Sequence, residues 1–574
     1  MKSLIKYLGP DKKSAVLGLA AKFIETILEL FLPMLMADMI DSSILSLNVP
    51  AIFHNALLMV VIIIANIILA ILGQYFASRA STSFGKALRG SLFQHINKLS
   101  YSGIDTIGTS SLITRITSDS SAVQNAVFMT IRIGLRAPFV AIGAVIMAFV
   151  IDPIMASVFI GIIVLISIVV IFIMKKSAPI YSIARKKLDR ITSVSRENIS
   201  GARVVRANVR RAAETKRLTD ASGEYMQSSL LAAKISSLMH PLSILIIQSG
   251  VLGVLIVSGF TGNAKTSPAS LTALVTYMMQ ILFAIMILTN LAGIFVRANA
   301  SASRINEVFD LKPGHMPTNP ITEFPSASDL VDAVKFDNVA FSYGGKNVFS
   351  NVTFSLQRGE HIGILGGTGS GKTTLVNLIP SFYAPTSGMV SVFGFDTLSV
   401  DPVLLRSIVA IAPQKALLIT GTVRDNVAFG RNIADSELMR ALSTAQADFV
   451  LSHDDGLDRV IERDGVNISG GQRQRISIAR ALAGNPQILI FDDAGSALDY
   501  ATEASLAAAI ASNYPNMTIL TVSQRIFAVR RANKILVLDD GKMVGLGTHE
   551  ELIEQSETYR SIYMSQIPTE DDEL

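Results

Sequence analysis

The sequence predicts a multidomain membrane protein, with an N-terminal all-α transmembrane domain of six helices followed by a C-terminal α/β domain. The first observation is a mean hydropathy of +0.46 with 17% charged residues, which is too apolar for an ordinary soluble protein. The second is that this apolar excess lies almost entirely before residue 300. The third is a glycine-rich motif, Gly366 to Thr373, between an apolar run and a helix-forming run. That strand–loop–helix order is typical of α/β domains.

Six apolar stretches in the first half are each long enough to cross about 30 Å of hydrocarbon as a helix. They span residues 14–41, 51–78, 126–150, 153–176, 236–260 and 268–296. The chain starts MKSLIKYLGPDKK, which loosely mimics a secretory signal. The next apolar run continues to about Ile40 without a small-residue cleavage site, so we expect a retained transmembrane helix.

Basic residues predict the orientation of these helices. The connections at 79–125 and 175–235 are rich in Lys and Arg, whereas the fifth connection carries only Lys265 and the first and third carry none. Because positive charge marks the cytoplasmic side, both termini are expected in the cytoplasm, with the protein in the plasma or inner membrane. The basic connections are long, so the helices should extend into the cytosol. Their tips, at 108–115 and 200–206, are either docking elements or solvated loops.

Charged and polar side chains inside the apolar stretches are candidate substrate contacts. Glu25 and Glu29 are four residues apart, on one face of the first helix. They either attract a cationic substrate, pair internally with Lys22 or Arg132, or lie near the lipid headgroups. Ionisable groups at membrane depth usually face a bundle interior or a water-filled cavity.

Three residues of the sixth apolar stretch complete this candidate substrate cavity: Gln280, Met286 and Asn290. Methionine side chains adapt to varied apolar ligands, which suits a pliable substrate wall. Packing in the helix bundle, or contact with lipid, is the alternative for Met286.

Composition excludes several other classes of function. The net charge of +5 would suit a nucleic-acid binder, but the basic residues lie largely in loops between apolar stretches, so we expect no nucleic-acid partner. Cysteine is absent, which excludes disulfides, thiolate metal sites and thiol catalysis. Four prolines between residues 311 and 333 predict an extended linker between a transmembrane domain at 1–310 and a second domain at 334–574.

The glycine-rich motif predicts a phosphate-binding loop that holds ATP. The loop consists of Gly366, Gly367, Thr368, Gly369, Ser370, Gly371, Lys372, Thr373 and Thr374. Glycines let backbone amides turn towards a polyphosphate, and the helix N-terminus adds partial positive charge. Lys372 is expected to reach the β- and γ-phosphates, and the Thr373 hydroxyl to hold Mg²⁺. A chance glycine-rich turn is the alternative, so the loop needs support elsewhere in the chain.

Two later segments give that support. The run Gln487–Asp493 is an apolar strand that ends in two carboxylates, and Asp492 is expected to hold Mg²⁺ through water. The segment Ser469-Gly470-Gly471-Gln472 precedes a helical run, and Ser469 is expected to cap that helix. Its free amides and positive dipole end then form a second anion site. This site lies far in sequence from the first, which indicates a nucleotide bound by another domain.

These motifs, in this order, resemble those of an ATP-binding-cassette (ABC) exporter half-transporter over essentially the whole length. The resemblance implies a nucleotide-binding domain with a RecA-like core and a helical subdomain, and a dimer that sandwiches two ATPs. It also implies that the tips near 108–115 and 200–206 are coupling helices. Three further residues match family positions: Tyr343 for adenine stacking, Gln414 for Mg²⁺ contact and relay, and Asp499 in the loop at the dimer interface.

Two residues depart from the family pattern. Asp493 stands where the family has a catalytic Glu, and Gln524 where it has a switch His. Asp is one methylene shorter, and Gln is neutral. One lost transition-state contact costs roughly 10²–10³ in rate, so slow hydrolysis is expected at this chain's own site. The signature Ser469–Gln472 is intact, which favours a heterodimer with a complete second half-transporter. This pattern resembles the degenerate-site subunit of bacterial heterodimeric multidrug exporters.

The expected function is therefore ATP-driven export of hydrophobic or amphipathic compounds such as drugs, with hydrolysis mainly at the partner's site. Peptide or lipid export is an alternative, and an ATP-gated channel or regulatory membrane protein is another. The order of the fused parts disfavours an importer, and the six apolar stretches exclude a soluble cassette ATPase.

Overall fold

The computed structural model describes residues 1–44, 48–261, 267–315, 317–324 and 332–566. Lys265 of the fifth connection, residues 316 and 325–331 of the expected linker, and residues 567–574 of the expected second domain lie outside the described residues. The chain divides into two compact units. Unit 1 comprises Met1–Gln94 and Ser110–Asp310, and unit 2 comprises His95–Thr109 and Leu311–Leu574.

The described part of the first 310 residues is helical. Its α-helices are α1 (Lys12–Asp38), α2 (Val49–Ile96), α3 (Tyr101–Ile107), α4 (Thr109–Thr114), α5 (Ser120–Met129), α6 (Arg136–Ile151), α7 (Pro153–Ser200), α8 (Ala202–Ala207), α9 (Arg211–Ser237), α10 (Met239–Thr261) and α11 (Pro268–Asp310). A 3-10 helix, Lys2–Asp11, precedes α1, and π-helical turns follow α1, α4 and α5. At 1.5 Å per residue, the 48 residues of α2 span roughly 70 Å, more than twice the hydrocarbon thickness.

Five helical segments among the described residues are long and apolar enough to cross a membrane. They are Val49–Ile96, Thr109–Ile151, Phe159–Ser200, Arg211–Val257 and Pro268–Asp310. Helix α1, at 27 residues, is long enough as well, but it carries Lys22, Glu25 and Glu29 within its apolar stretch. The first of the six expected crossings therefore stays a prediction.

Unit 2 contains the α/β part of the chain. Its strands are β1 (Asp332–Tyr343), β2 (Lys346–Gln357), β3 (His361–Gly366), β4 (Ser387–Val392), β5 (Phe395–Asp396), β6 (Val409–Ala412), β7 (Gly421–Thr422), β8 (Val460–Ile461), β9 (Ile488–Asp492), β10 (Thr518–Ser523), β11 (Lys534–Asp539) and β12 (Lys542–Gly547). Its helices after α11 are α12 (Lys372–Asn377), α13 (Pro402–Ile408), α14 (Val423–Ala428), α15 (Asp435–Thr444), α16 (Asp448–Leu451), α17 (Gly470–Leu482), α18 (Tyr500–Asn513), α19 (Ile526–Val529), α20 (His549–Gln555) and α21 (Glu557–Met564).

The central sheet has six strands in the order β12-β11-β3-β10-β9-β6. All neighbours are parallel except β11 and β12. Strands β3 and β9 are buried almost throughout, as expected of strands covered on both faces. In this register Val522 of β10 lies opposite both Ile364 of β3 and Asp492 of β9. The carboxyl ends of the three strands therefore meet at one edge of the sheet.

One apolar core packs α19–α21 against β3 and β11, through Leu365, Val537 and Tyr559. Two further apolar cores surround the sheet. One lies between it and the four-stranded antiparallel sheet β2-β1-β4-β5, and includes Phe336, Phe354 and Leu375. The other joins the opposite face of the sheet to α14–α18, through Leu438, Ile476 and others. The predicted fold class, a helical transmembrane domain followed by an α/β domain, is confirmed.

Candidate functional site

The glycine-rich loop connects β3 to α12 at this edge of the sheet. A Cβ on Gly366 would lie 2.2 Å from the Leu538 carbonyl oxygen, so only glycine fits beside strand β11. Gly371 precedes α12 with φ of +99°, a left-handed conformation that other residues rarely adopt. The buried strand and these two glycines turn the loop over the start of α12, which leaves its amides free for a ligand.

Lys372 is folded back onto this loop. Its Nζ donates to the carbonyl oxygens of Gly366 at 2.8 Å and Gly367 at 2.6 Å, and to Ser370 Oγ at 3.3 Å. Burial lowers the pKa of the ammonium, while the carboxylates of Asp493 and Asp492 raise it. The loop thus holds a cation whose present partners are neutral oxygens, which an anionic ligand can replace.

Asp492 ends strand β9 beside the loop. Its Oδ1 accepts a hydrogen bond of 2.7 Å from the Thr373 hydroxyl, and its pKa is raised chiefly by burial. The two oxygen-bearing side chains therefore converge on one point. Hydroxyl and carboxylate oxygens are ligands that Mg²⁺ prefers, so their chemistry fits such an ion.

Asp493 turns away from the strand with φ of +52°, which Asp tolerates better than most residues. Its backbone N–H donates to the Val522 carbonyl at 2.9 Å, which fixes the turn. Its Oδ2 accepts from Gln414 Nε2 at 3.0 Å. Burial raises the pKa of this carboxyl, and the Gln414 hydrogen bond opposes the rise.

Gln524 directly follows β10, the strand next to β9, whose end is followed by Asp493. Its Oε1 accepts a hydrogen bond of 3.3 Å from the Thr368 hydroxyl. The structure thus brings most of the expected nucleotide residues into one cavity of about 250 Å³. The cavity is lined by Val348, Thr368, Gly369, Gly371, Lys372, Thr373, Thr374, Gln414, Asp492, Asp493, Val522 and Gln524.

The backbone around Gln524 is held by a residue that the sequence analysis missed. Gln566 donates from Nε2 to the Gln524 carbonyl at 2.8 Å, and its Oε1 accepts from the Ile526 N–H at 2.9 Å. Gln566 follows α21, so the C-terminal helices position the segment that carries Gln524. The two residues are 42 positions apart, and no periodic signal in the sequence links them.

Other expected nucleotide residues lie outside this cavity. Tyr343, 40% exposed, packs edge-on against Phe341 and Tyr383, and its hydroxyl is 3.4 Å from Thr374 Oγ1. Asp499 caps α18 by accepting from the Thr502 N–H at 2.9 Å, which lowers the pKa of its carboxyl.

Ser469 caps α17, as the sequence predicts. Its Oγ accepts from the Gln472 N–H at 3.3 Å, while Gln472 Oε1 accepts from the Ser469 N–H at 2.9 Å. This capping box leaves Gly470 exposed at the N-terminus of a 13-residue helix. Arg473 donates to the carbonyls of Gly465 and Ile468, which orients the preceding turn.

In unit 1, the charged residues of α1 form internal pairs. Lys22 Nζ lies 2.6 Å from Glu25 Oε2, so this pairing alternative is correct. Glu29 Oε2 is 2.7 Å from Arg136 Nη2. The expected partner Arg132 instead stacks over the Phe128 ring, because the π-helical turn Thr130–Gly134 changes which side chains face α1. Because Glu25 and Glu29 are each paired with a basic side chain, the group has no net charge that would attract a cation.

Glu29, Arg136 and Gln280 line one small cavity of about 90 Å³. The Gln280 Oε1 atom there is buried without a hydrogen-bond partner. Three other residues expected in the cavity do not line it, and the first is Glu25, which pairs with Lys22. Met286 packs against the apolar core of α6, α7, α10 and α11, and Asn290 is exposed.

The tip of the first basic connection lies earlier than expected. Ser100 caps α3 by accepting from the Gly103 N–H at 3.1 Å, and Gly108 ends the helix with φ of +81°. The turn therefore lies around α3 and not at 108–115. Within unit 2, Tyr101 stacks on Phe382 with ring centroids 4.4 Å apart, and Asp105 accepts from the Tyr383 hydroxyl at 2.7 Å.

The second tip is α8, with Val204 65% exposed and the following Val209 87% exposed. On one side of it α7, with 48 residues, is far longer than a bilayer crossing requires, and on the other side the 27 residues of α9 precede α10. Its docking role stays a prediction.

Fold and cavity together define a membrane protein that carries a phosphate-loop nucleotide domain. Two family models match the chain: ABC transporter transmembrane region over residues 15–286, and ABC transporter over residues 349–496. The uncharacterized ABC transporter ATP-binding protein YfiB of Bacillus subtilis (strain 168) is 32% identical, over 100% of both chains. The ATP-dependent lipid A-core flippase of Syntrophus aciditrophicus (strain SB) is 30% identical, over 84% of this chain and 80% of its own length.

A solved structure, that of a bacterial Atm1-family ABC exporter with ATP bound, shares the fold with a TM-score of 0.79 at 20% identity. The match covers 98% of this chain and 99% of that one. The chain belongs to the ABC transporter family and has the organisation of an ABC exporter, with a transmembrane and a nucleotide-binding domain.

Proposed function

We propose that this chain is one half of an ATP-driven exporter and pairs with a second, different half-transporter. The observation that carries the proposal is the presence of Asp493 and Gln524 in the phosphate-loop cavity, beside most of the expected nucleotide residues. A dimer of two such chains would have two impaired sites and could not reset after ATP binding. Because Ser469–Gln472 is intact, the chain can still complete the site of a partner.

The chain's own site binds ATP. The loop Gly366–Thr374 surrounds the phosphates, with the Lys372 ammonium moving from its carbonyl partners to the β- and γ-oxygens. Tyr343 stacks the adenine ring. Thr373, Gln414 and Asp492 would hold Mg²⁺, which neutralises phosphate charge when bound. Their side chains already converge on the same cavity.

Hydrolysis at this site is slow because both residues that should act on the attacking water are altered. The Asp493 carboxylate is one methylene shorter than Glu, and its Oδ2 is taken up by Gln414 at 3.0 Å. Gln524 is neutral and engaged by Thr368. Each such loss lowers the hydrolysis rate by roughly 10²–10³-fold. The effects of two residues that act as a unit need not be additive. The site then works as a slow regulatory clamp.

The partner's site is completed by this chain's α17. The capped N-terminus directs free amides and a partial positive charge at an anion, which suits a γ-phosphate held by the opposite subunit. Asp499 lies in the loop that contacts the dimer interface. Hydrolysis of ATP at the partner's site returns the transporter to its inward-facing state.

The transported compounds are hydrophobic or amphipathic, with a polar group that fits the Glu29–Arg136–Gln280 cavity. The Glu29–Arg136 ion pair offers a hydrogen-bond donor and acceptor at membrane depth. Gln280 Oε1 offers a further acceptor without a partner of its own. Drugs of this type suit the site. The name of the lipid A-core flippase relative favours a lipid amphiphile as the second candidate. The protein is expected in the plasma or inner membrane with both termini cytoplasmic.

A double substitution tests this substrate site. Glu29→Gln with Arg136→Gln removes both charges together, so no buried charge is left unpaired. In the assembled complex in lipid vesicles, the amphiphile concentration that half-stimulates ATP turnover should rise roughly tenfold, which corresponds to about 1.4 kcal/mol.

The matched control is Arg132→Gln, since Arg132 lies on the same segment but does not line the cavity. Equal shifts in both variants would argue against the site. Absence of any sustained amphiphile-dependent ATP turnover would favour an ATP-gated channel over a pump.

A further inference from the structure

A second cavity lies on the face of the central sheet that α18 covers. Its volume is about 290 Å³, near the lower end for sites of small organic ligands and far above the roughly 30 Å³ of one water molecule. Strands β3, β9 and β10 form its floor, and it is separate from the phosphate-loop cavity because no residue lines both. Nothing in the proposed transport cycle uses it.

Most of the lining is apolar. Leu506 and Ile510 of α18, and Tyr514 directly after it, face Phe491 and Ile519 of the sheet. Ala507, Ala511 and Pro515, which also line the cavity, are exposed, so it opens to solvent along α18. An apolar body of modest size can therefore enter without unfolding the domain.

One polar group in the lining has no partner. The Oε2 atom of Glu503 is buried and makes no hydrogen bond. Its other oxygen, Oε1, would be only 2.3 Å from a Cβ added to Gly495, so the carboxyl is wedged against that glycine. Burial raises the pKa of Glu503. An unpaired buried carboxyl oxygen is costly, and a ligand that donates a hydrogen bond would offset the cost.

The remaining polar side chains of the lining do not supply that donor. The Tyr514 hydroxyl is already hydrogen-bonded to Arg440. His361 Nε2 is 2.8 Å from Thr521 Oγ1, so each already has a partner. Burial lowers the pKa of His361 to about 4, which keeps its ring neutral near pH 7. Arg525 contributes only a longer-range charge to Glu503 and does not line the cavity.

We propose that this cavity binds a small amphipathic primary amine, with its ammonium on Glu503 and its apolar body between α18 and the sheet. An ammonium is the donor that a buried carboxylate best accepts, since charge-assisted hydrogen bonds are about twice as strong as neutral ones. The apolar lining adds affinity because it removes apolar ligand surface from water. The site is separate from both the nucleotide and the transport cavities.

Cysteine protection in the full chain tests this site. The protein has no cysteine, so Ala511→Cys places a single thiol in the cavity wall. The probes are 4-phenylbutylamine and its neutral analogue 4-phenylbutanol, with the protein in lipid nanodiscs. At ten times its dissociation constant, the amine should slow modification by N-ethylmaleimide roughly tenfold, because only the free fraction reacts. The alcohol should protect far less at the same concentration.

Three variants make the result specific. Ala508→Cys, on the same helix but outside the cavity, should react at the same rate with and without amine. Glu503→Gln in the Ala511→Cys background should remove most protection. Ala507→Phe, which fills the cavity and keeps Glu503, should do the same. Protection that survives either change, equal protection by the alcohol, or no protection by the amine would overturn the proposal.

Discussion

Asp493→Glu combined with Gln524→His should raise ATP hydrolysis at this chain's own site by roughly 10²-fold or more. The Glu side chain adds the methylene needed to bring a carboxylate past Gln414 towards the γ-phosphate side of the cavity. The His restores a group that can share a proton. The measurement is ATP turnover by the assembled complex in which the partner's own phosphate-loop lysine has been replaced. The measured turnover then comes only from this chain's site.

Each single change should recover less than the pair, since such groups act as a unit. Asp337→Glu, the same chemical change at an exposed position on β1, is the control and should have no effect. Adding Lys372→Ala to the restored pair should abolish the gain. If the double variant stayed as slow as the original chain, Asp493 and Gln524 would not be the cause of slow hydrolysis.

The second large effect concerns the N-terminus of α17. Gly470→Asp in this chain should reduce substrate-dependent ATP turnover of the complex by roughly 10²-fold or more, because a carboxylate would oppose the partner-bound phosphate. The fold should persist: an added Cβ meets nothing closer than 3.9 Å, and negative charge stabilises a helix N-terminus. Transport and turnover are measured together in vesicles.

Gly470→Ala is the matched control, with the same Cβ but no charge, and should cost little. Lys372→Ala in this chain should also cost much less than Gly470→Asp, since the Lys372 site is regulatory in this account. Equal damage from Lys372→Ala and Gly470→Asp would indicate that this chain's own site carries as much turnover as the partner's.

Several parts of the site were predictable from local sequence. The strand β3, the loop from Gly366 and the helix from Lys372 follow directly from an apolar run, glycines and a helix-forming run. Asp492 ends a strand buried on both faces, and the parallel register then places it beside the loop. Ser469 caps α17 with the spacing that a capping box requires. Each element follows from short-range pattern, and only the placement of Asp492 beside the loop also needs the register of the sheet.

Other parts depend on packing between distant segments. Arg136 rather than Arg132 meets Glu29, because helical spacing fails across the π-helical turn before α6. The first tip lies at α3, earlier than the predicted 108–115, since Gly108 ends that helix instead of starting it. Gln566 contacts Gln524 only after α20 and α21 have packed. The cavity under α18 arises from imperfect filling between helix and sheet, which no periodicity encodes.

The central claim is that this chain retains its bound ATP while the partner subunit hydrolyses the ATP at the partner's own site. Imaging the complex during continuous turnover tests this claim most directly. We expect heterodimers with intact ATP at Lys372 and ADP at the opposite phosphate loop. A particle built from two copies of this chain, with ADP formed at both Lys372 sites, would contradict the account.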